Sequence, residues 1–327
     1  METLILDLYH QLGNTNFIVL SLVVAAVLCF WCIPETTDLM VNSTAGLAGL
    51  YFGRDQRTLA INASTNNPEL FSMIVAFMLG RVGGIANPLG SNFANIYLMF
   101  IIAPLLVIAR WALAGQWHKV RRMVALLSRE RRLLLWHIAM SLTMFVFASF
   151  AYWCITGVIQ FDELPAEPIL RPRYLLLEGG IACLIGIVTF LTFEKRLKAQ
   201  RGELFDDIND EHHHPSWRGL FLGTAGLTFS CYLLNSFFLV WSEVYAASLS
   251  DIFGAAVFAG LHYFLGSLVT SLPEMTVAIE NYQRLTVADL NTAMASASQS
   301  NMTNLAIAAL GSLLLSLSLF LGFNYQI

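Results

Sequence analysis

Apolar residues gather into runs at roughly 16–33, 58–79, 85–109, 133–159, 174–194, 218–243, 253–280 and 290–323. A helix crosses ~30 Å of hydrocarbon in about 20 residues, so these runs predict about eight membrane spans. Residues 35–52 extend the first run as a helix, where Gly46, Ala48 and Gly49 permit close approach of a neighbour. Polar residues interrupt two of the runs in the same way. Thr65-Asn66-Asn67-Pro68-Glu69 is echoed by Thr270-Ser271-Leu272-Pro273-Glu274. The following runs then carry Ser91-Asn92-Phe93-Ala94-Asn95 and Ser300-Asn301-Met302-Thr303-Asn304. Duplicated polar motifs inside apolar runs are a sequence mark of membrane transporters.

Charges in the connecting segments set a relative orientation. The stretch 110–132 carries Arg110, Lys119, Arg121, Arg122, Arg129, Arg131 and Arg132, and the positive-inside rule places such a segment in the cytoplasm. Arg54 and Arg57 then fall inside, Asp162, Glu163 and Glu167 outside, and Lys195, Arg196, Lys198 and Arg201 inside again. This predicts an exterior N-terminus. An odd number of crossings separates the Glu69 and Glu274 spans, so the two repeats are expected to be inverted and to meet near the midplane. The predicted organisation is a first half over 1–194, a cytoplasmic acidic and histidine-bearing loop over 195–217, and a second half over 218–327. The fold class is all-α, a polytopic transmembrane helix bundle.

Composition agrees. Of 327 residues, 57% are hydrophobic and only 12% charged, more apolar surface than one soluble core hides. The net charge of −4, with its cations confined to loops, sets nucleic acid aside as a partner. No basic residue precedes the first apolar run, which argues against a cleaved secretory signal. Cys29 and Cys32 form a C-x-x-C pair, but with Cys154, Cys183 and Cys231 they fall in or near apolar runs, where thiols act as small hydrophobes. No phosphate-binding loop is present, which leaves ion gradients as the energy source and no enzymatic step.

Pro68 and Pro273 each remove a backbone hydrogen bond, so both helices are expected to break there and free carbonyls near Thr65 and Thr270. Beside them stand the Glu69 and Glu274 carboxylates, the Asn95 and Asn304 amides, and the hydroxyls of Thr65, Ser91, Thr270, Ser271 and Ser300. These are hard oxygen donors suited to Ca²⁺ or Na⁺, with no Cys or His among them. Two carboxylates match the charge of one Ca²⁺; without a cation their repulsion favours taking up a proton.

At these motifs, over about 58–100 and 262–312, the chain resembles the calcium/cation antiporter superfamily, sodium/calcium exchanger type, whose repeats read G-T-S-x-P-E and G-N-x-x-G-S-N-x-x-N/D. The resemblance implies exchange of Ca²⁺ for Na⁺ by alternating access, with H⁺ replacing Na⁺ in relatives, and the first and sixth spans sliding over the rest. It makes Glu69 and Glu274 the central ligands, Asn95 and Asn304 the flanking amides, and Thr65, Ser91, Thr270, Ser271 and Ser300 the outer oxygens. Asn66 stands where the family has serine, Asn67 where it has an apolar residue, and Gln299 where it has glycine; the extra amides, Asn66 first, are expected to retune the site. The family usually has ten spans, five per half. With eight expected here, a partner chain or a second copy is a candidate for completing the bundle. The expected location is multi-pass in a cell (inner) membrane, with no organic cofactor. The alternatives are a Ca²⁺/H⁺ antiporter and a non-transporting membrane protein that keeps the ion site as a sensor or assembly element.

The loop Asp206-Asp207-Ile208-Asn209-Asp210-Glu211-His212-His213-His214 lacks the EF-hand pattern and reads as a solvated linker. His137 and His262 lie in or near spans and read as hydrogen-bonded structural groups, with His262 the candidate for a proton relay.

Overall fold

A computed structural model describes residues 1–51, 57–78, 82–155, 170–200, 215–245, 248 and 267–321. The acidic segment around Asp162, the 206–214 loop and His262 lie outside the described residues. The described chain is all-helical, with no strand. Its helices are α1 (Glu2–Val27), α2 (Ile33–Tyr51), α3 (Arg57–Thr65), α4 (Asn67–Met78), α5 (Ala86–Tyr97), α6 (Ala103–Leu113), α7 (Trp117–Arg129), α8 (Arg131–Ile155), α9 (Leu170–Gln200), α10 (Trp217–Val244), α11 (Leu272–Arg284) and α12 (Val287–Phe320).

Among the described residues six stretches are long and apolar enough to span a membrane: Glu2–Tyr51, Ala86–Leu113, Arg131–Ile155, Arg173–Arg196, Trp217–Phe237 and Val287–Phe320. The two remaining runs expected to span, 58–79 and 253–280, are each interrupted among the described residues. The first is divided into α3 and α4 at Asn66, and the described part of the second is interrupted at Ser271 before α11. Each break falls two residues before a proline, Pro68 or Pro273, whose ring displaces the carbonyl one turn back.

Two other prolines act more mildly. α1 joins α2 through a π-turn at Leu28–Cys32, and α5 joins α6 through another at Leu98–Ile102. Pro34 and Pro104 each follow the π-turn by two residues, so the carbonyl their rings would strike, at Phe30 or Phe100, lies inside the widened turn. In the second turn Ala103 N–H bonds back to Leu98 O, which leaves Met99 O facing a proline nitrogen that has no hydrogen to give. Tyr282 of α11 supplies the missing donor, its hydroxyl donating to Met99 O at 3.1 Å. Gly13, at φ +71°, bends α1 near its middle.

The described helices pack around several cores. α8, α9 and α12 enclose a core of Met140, Met144, Ala148, Ala182, Cys183, Phe190 and Leu305, onto which Met73 of α4 and Leu89 of α5 close. α5, α6, α7, α11 and α12 share a second core around Met99, Val107, Trp111, Met123, Tyr282 and Met294. α1 and α2 pack along α10 through Leu28, Ile33, Met40, Leu227 and Cys231. α2 and α10 approach closely where Gly219 and Gly223 face Ser43 and Met40. A Cβ at Gly223 would stand 2.7 Å from the Met40 backbone nitrogen. This is the small-xxx-small contact of membrane helices.

The stretch 110–132, expected to be a loop, contains α7, because Val120, Met123 and Leu127 recur at helical spacing and turn toward the second core. α11 and α12 meet in a tight turn: Leu285 adopts φ +58°, Thr286 accepts from Asp289 N–H at 3.1 Å, and Arg284 pairs with Asp289 at 3.5 Å.

Candidate functional site

Glu69 is the third residue of α4 and Glu274 the third of α11, each in the first turn after its helix break. Both are wholly buried. All ten residues proposed from sequence lie in the interior: Thr65, Asn66, Glu69, Ser91, Asn95, Ser271, Glu274, Ser300 and Asn304 are completely buried, and Thr270 is 3% exposed.

Direct contacts join five of them. Ser91 of α5 donates to Glu69 Oε1 at 3.2 Å and shares a hydrogen bond with Thr270 Oγ1, also at 3.2 Å. Thr270 stands beside the Glu69 carboxyl and Thr65 beside that of Glu274, so each motif's threonine faces the other motif's glutamate. The two carboxyls lie close enough to interact electrostatically. Asn95 is tied to the second motif differently, its amide nitrogen donating to Asn301 Oδ1 at 3.0 Å. Asn66 and Ser271 form the helix breaks themselves, and Ser300 and Asn304 flank Asn301 on α12.

Oxygen atoms without a hydrogen-bond donor concentrate at these residues. Glu69 Oε2, both Glu274 carboxyl oxygens, Asn95 Oδ1, Asn304 Oδ1, Ser271 Oγ and Ser300 Oγ are buried with no hydrogen-bond partner. A buried polar atom left in that state costs about 1–3 kcal/mol, and more when charged. A cation is the ligand that satisfies many oxygen acceptors at once. Among the described residues no group of three or more Cys, His, Asp or Glu side chains comes together. The oxygens gathered here are two carboxyls with amides and hydroxyls, the donor types that hard cations prefer.

Asn92 and Asn301 belong to the motifs yet were absent from the proposed ligand set. Asn301 donates to Asn92 O at 3.0 Å and to Ser141 O of α8 at 3.4 Å, while Asn92 donates to Pro88 O at 3.1 Å. They position α5 against α12. The unusual amides also find roles. Asn67 reaches out of the α3–α4 break to Thr224 Oγ1 of α10 at 3.4 Å and Met40 Sδ of α2 at 3.8 Å. Gln299 donates to Glu194 of α9 at 3.0 Å. His137 of α8 bridges Ser298 Oγ and Asn291 Oδ1, each at 3.0 Å, a structural placement as expected from sequence. Cys29 and Cys32 sit in the first π-turn as free thiols. Searched against family models, curated proteins and solved structures, the chain matches none.

Proposed function

We propose that this protein is a secondary active transporter that exchanges Ca²⁺ for Na⁺ across a membrane by alternating access, with Glu69 and Glu274 as its central ligands. The observation that carries the reading is the pair of fully buried glutamates, each in the first turn after a proline-associated helix break, with three of their four carboxyl oxygens lacking a hydrogen-bond donor. Two neighbouring buried anions are strongly unfavourable unless a cation or protons compensate them. One Ca²⁺ neutralises the pair and draws on the surrounding amide and hydroxyl oxygens.

In this reading the two halves are inverted repeats, the basic segment 110–132 faces the cytoplasm and the N-terminus lies outside. The paired α1–α2 and α10 supply the moving part, and Asn67 is the polar link between that pair and the site. Proton coupling is the second reading, favoured by the closeness of the two carboxyls, since protonation of either can take the place of Na⁺.

Uptake of radiolabelled Ca²⁺ into proteoliposomes tests the assignment. Uptake driven by an outward Na⁺ gradient at clamped pH supports Na⁺ exchange, and uptake driven only by a proton gradient moves the assignment to Ca²⁺/H⁺ antiport. Flux unchanged in both Glu69→Gln and Glu274→Gln would refute the site. Ca²⁺ binding without flux would make the protein a sensor.

A further inference from the structure

We propose that α7 is a docking surface for anionic phospholipid headgroups. α7 connects the end of one spanning stretch, Ala86–Leu113, to the start of the next, Arg131–Ile155, so it lies at a membrane face. Gly115, at φ +70°, makes the sharp turn out of α6 that a side chain would strain.

Three strips run along α7. Val120, Met123 and Leu127 pack on the protein core. Trp117 and Val124, seven residues apart and 58% and 53% exposed, form an apolar edge, extended by the 91% exposed Leu113. Next to that edge comes Arg121, and beyond it Arg122 and Arg129, again seven apart; all three are exposed. Arg131 and Arg132 continue the exposed cationic surface into α8. The only carboxylate in 114–132 is Glu130, which pairs with Arg129 at 3.5 Å. Among the described residues no carboxylate pairs with Arg121, Arg122, Arg131 or Arg132.

An apolar edge beside a guanidinium strip matches the boundary between acyl chains and charged headgroups. Arginine forms paired hydrogen bonds with phosphate oxygens, and clustered cations beside a spanning helix attract anionic lipid. A soluble phosphate would use the arginines but leave Trp117, Val124 and Leu113 in water, so the lipid is the better fit. The inference needs only the membrane setting and stands or falls independently of transport.

The test follows thermal unfolding of the purified full chain in a non-ionic detergent with added phosphatidylglycerol, phosphatidylcholine or inorganic phosphate. The expected result is a midpoint raised by several degrees more with phosphatidylglycerol than with phosphatidylcholine. High salt should erase the excess, as should the combined variant R121Q/R122Q/R131Q/R132Q. Equal shifts with both lipids, a full excess in the variant, or reproduction of the shift by phosphate alone would each overturn the proposal. If the variant does not fold, brominated lipids probe the unaltered chain. Brominated phosphatidylglycerol should quench tryptophan fluorescence more than brominated phosphatidylcholine, with the excess absent in Trp117→Phe; equal quenching overturns the proposal.

Discussion

The side-chain amide of Asn95 on α5 donates to the side-chain carbonyl of Asn301 on α12 at 3.0 Å, joining the two polar motifs by a direct hydrogen bond. Asn301 also donates to backbone carbonyls of Asn92 and Ser141, so one amide holds three helices together. Hydrogen bonds between membrane helices are worth about 0.6–1.7 kcal/mol each. Asn301→Asp keeps the shape but turns the donor into an acceptor aimed at carbonyl oxygens. It is expected to lower stability by about 2–3 kcal/mol. Thermal unfolding in detergent, followed by labelling of the buried Cys154, Cys183 and Cys231 thiols, measures it. An unchanged midpoint would show that the bridge is dispensable.

Ser91 contacts Glu69, Thr270 and Asn87 O through one hydroxyl, which has a single hydrogen to give. Its oxygen is thus a shared element of both motifs, while the glutamates carry the charge. Ser91→Ala is expected to weaken Ca²⁺ binding about tenfold, the equivalent of ~1.4 kcal/mol, and to leave the fold intact. Calorimetric titration of Ca²⁺ into wild type and variant provides the comparison. A variant with wild-type affinity would place Ser91 outside the ligand set.

The Met99 carbonyl has one described donor, the Tyr282 hydroxyl, because the π-turn would otherwise direct it to Pro104. Tyr282→Phe removes that donor and little volume. The expected loss is about 1 kcal/mol, visible as a lower unfolding midpoint. Pro104→Ala in the same background restores an N–H at position 104 and is expected to recover part of the loss. No recovery would mean that the proline does not set the turn.

The candidate residues were legible for a simple physical reason: a glutamate after a proline is conspicuous in an apolar run, and the same arrangement recurs at Glu274. The helix breaks followed from the same prolines. The bonding of Asn301 was not legible, because it depends on the register of α5 against α12 and those helices are far apart in sequence. His137 was visible as a polar residue in a span, but its partners Ser298 and Asn291 come from α12. Apolar composition persists across a broken helix, as at Asn66, so composition alone does not mark where a run is interrupted. α7 was hidden by its own charge: the arginines dominate the composition of 110–132, while its helical character rests on the spacing of Val120, Met123 and Leu127.

Gly219 and Gly223 put a short-side-chain surface on α10 against Ser43 and Met40 of α2. At Gly223 the obstacle to a side chain is Met40 backbone, which cannot swing aside as a flexible side chain would. Gly223→Ala is therefore expected to force α10 away from α2 at a cost of about 1–3 kcal/mol. Flux assays should show a larger effect on turnover than on Ca²⁺ affinity, since the altered contact lies in the helices proposed to move and not at the carboxylates. A change confined to affinity would place this contact in the binding site instead.

Proton competition gives the last test, because under the proposed function Glu69 and Glu274 would hold Ca²⁺ only in their ionised forms. Protonation removes the charge that attracts the cation and converts a carboxyl oxygen from acceptor to donor. Lowering the pH is therefore expected to weaken Ca²⁺ binding, and raising it to strengthen binding until both groups are ionised. Calcium titrations across a pH series, with Na⁺ absent, read this directly. Glu274→Gln retains one ionisable ligand, so its affinity should be lower throughout and its pH dependence shallower. If Ca²⁺ affinity were the same across the series in the wild type, the cation would have to be held by groups other than these two glutamates.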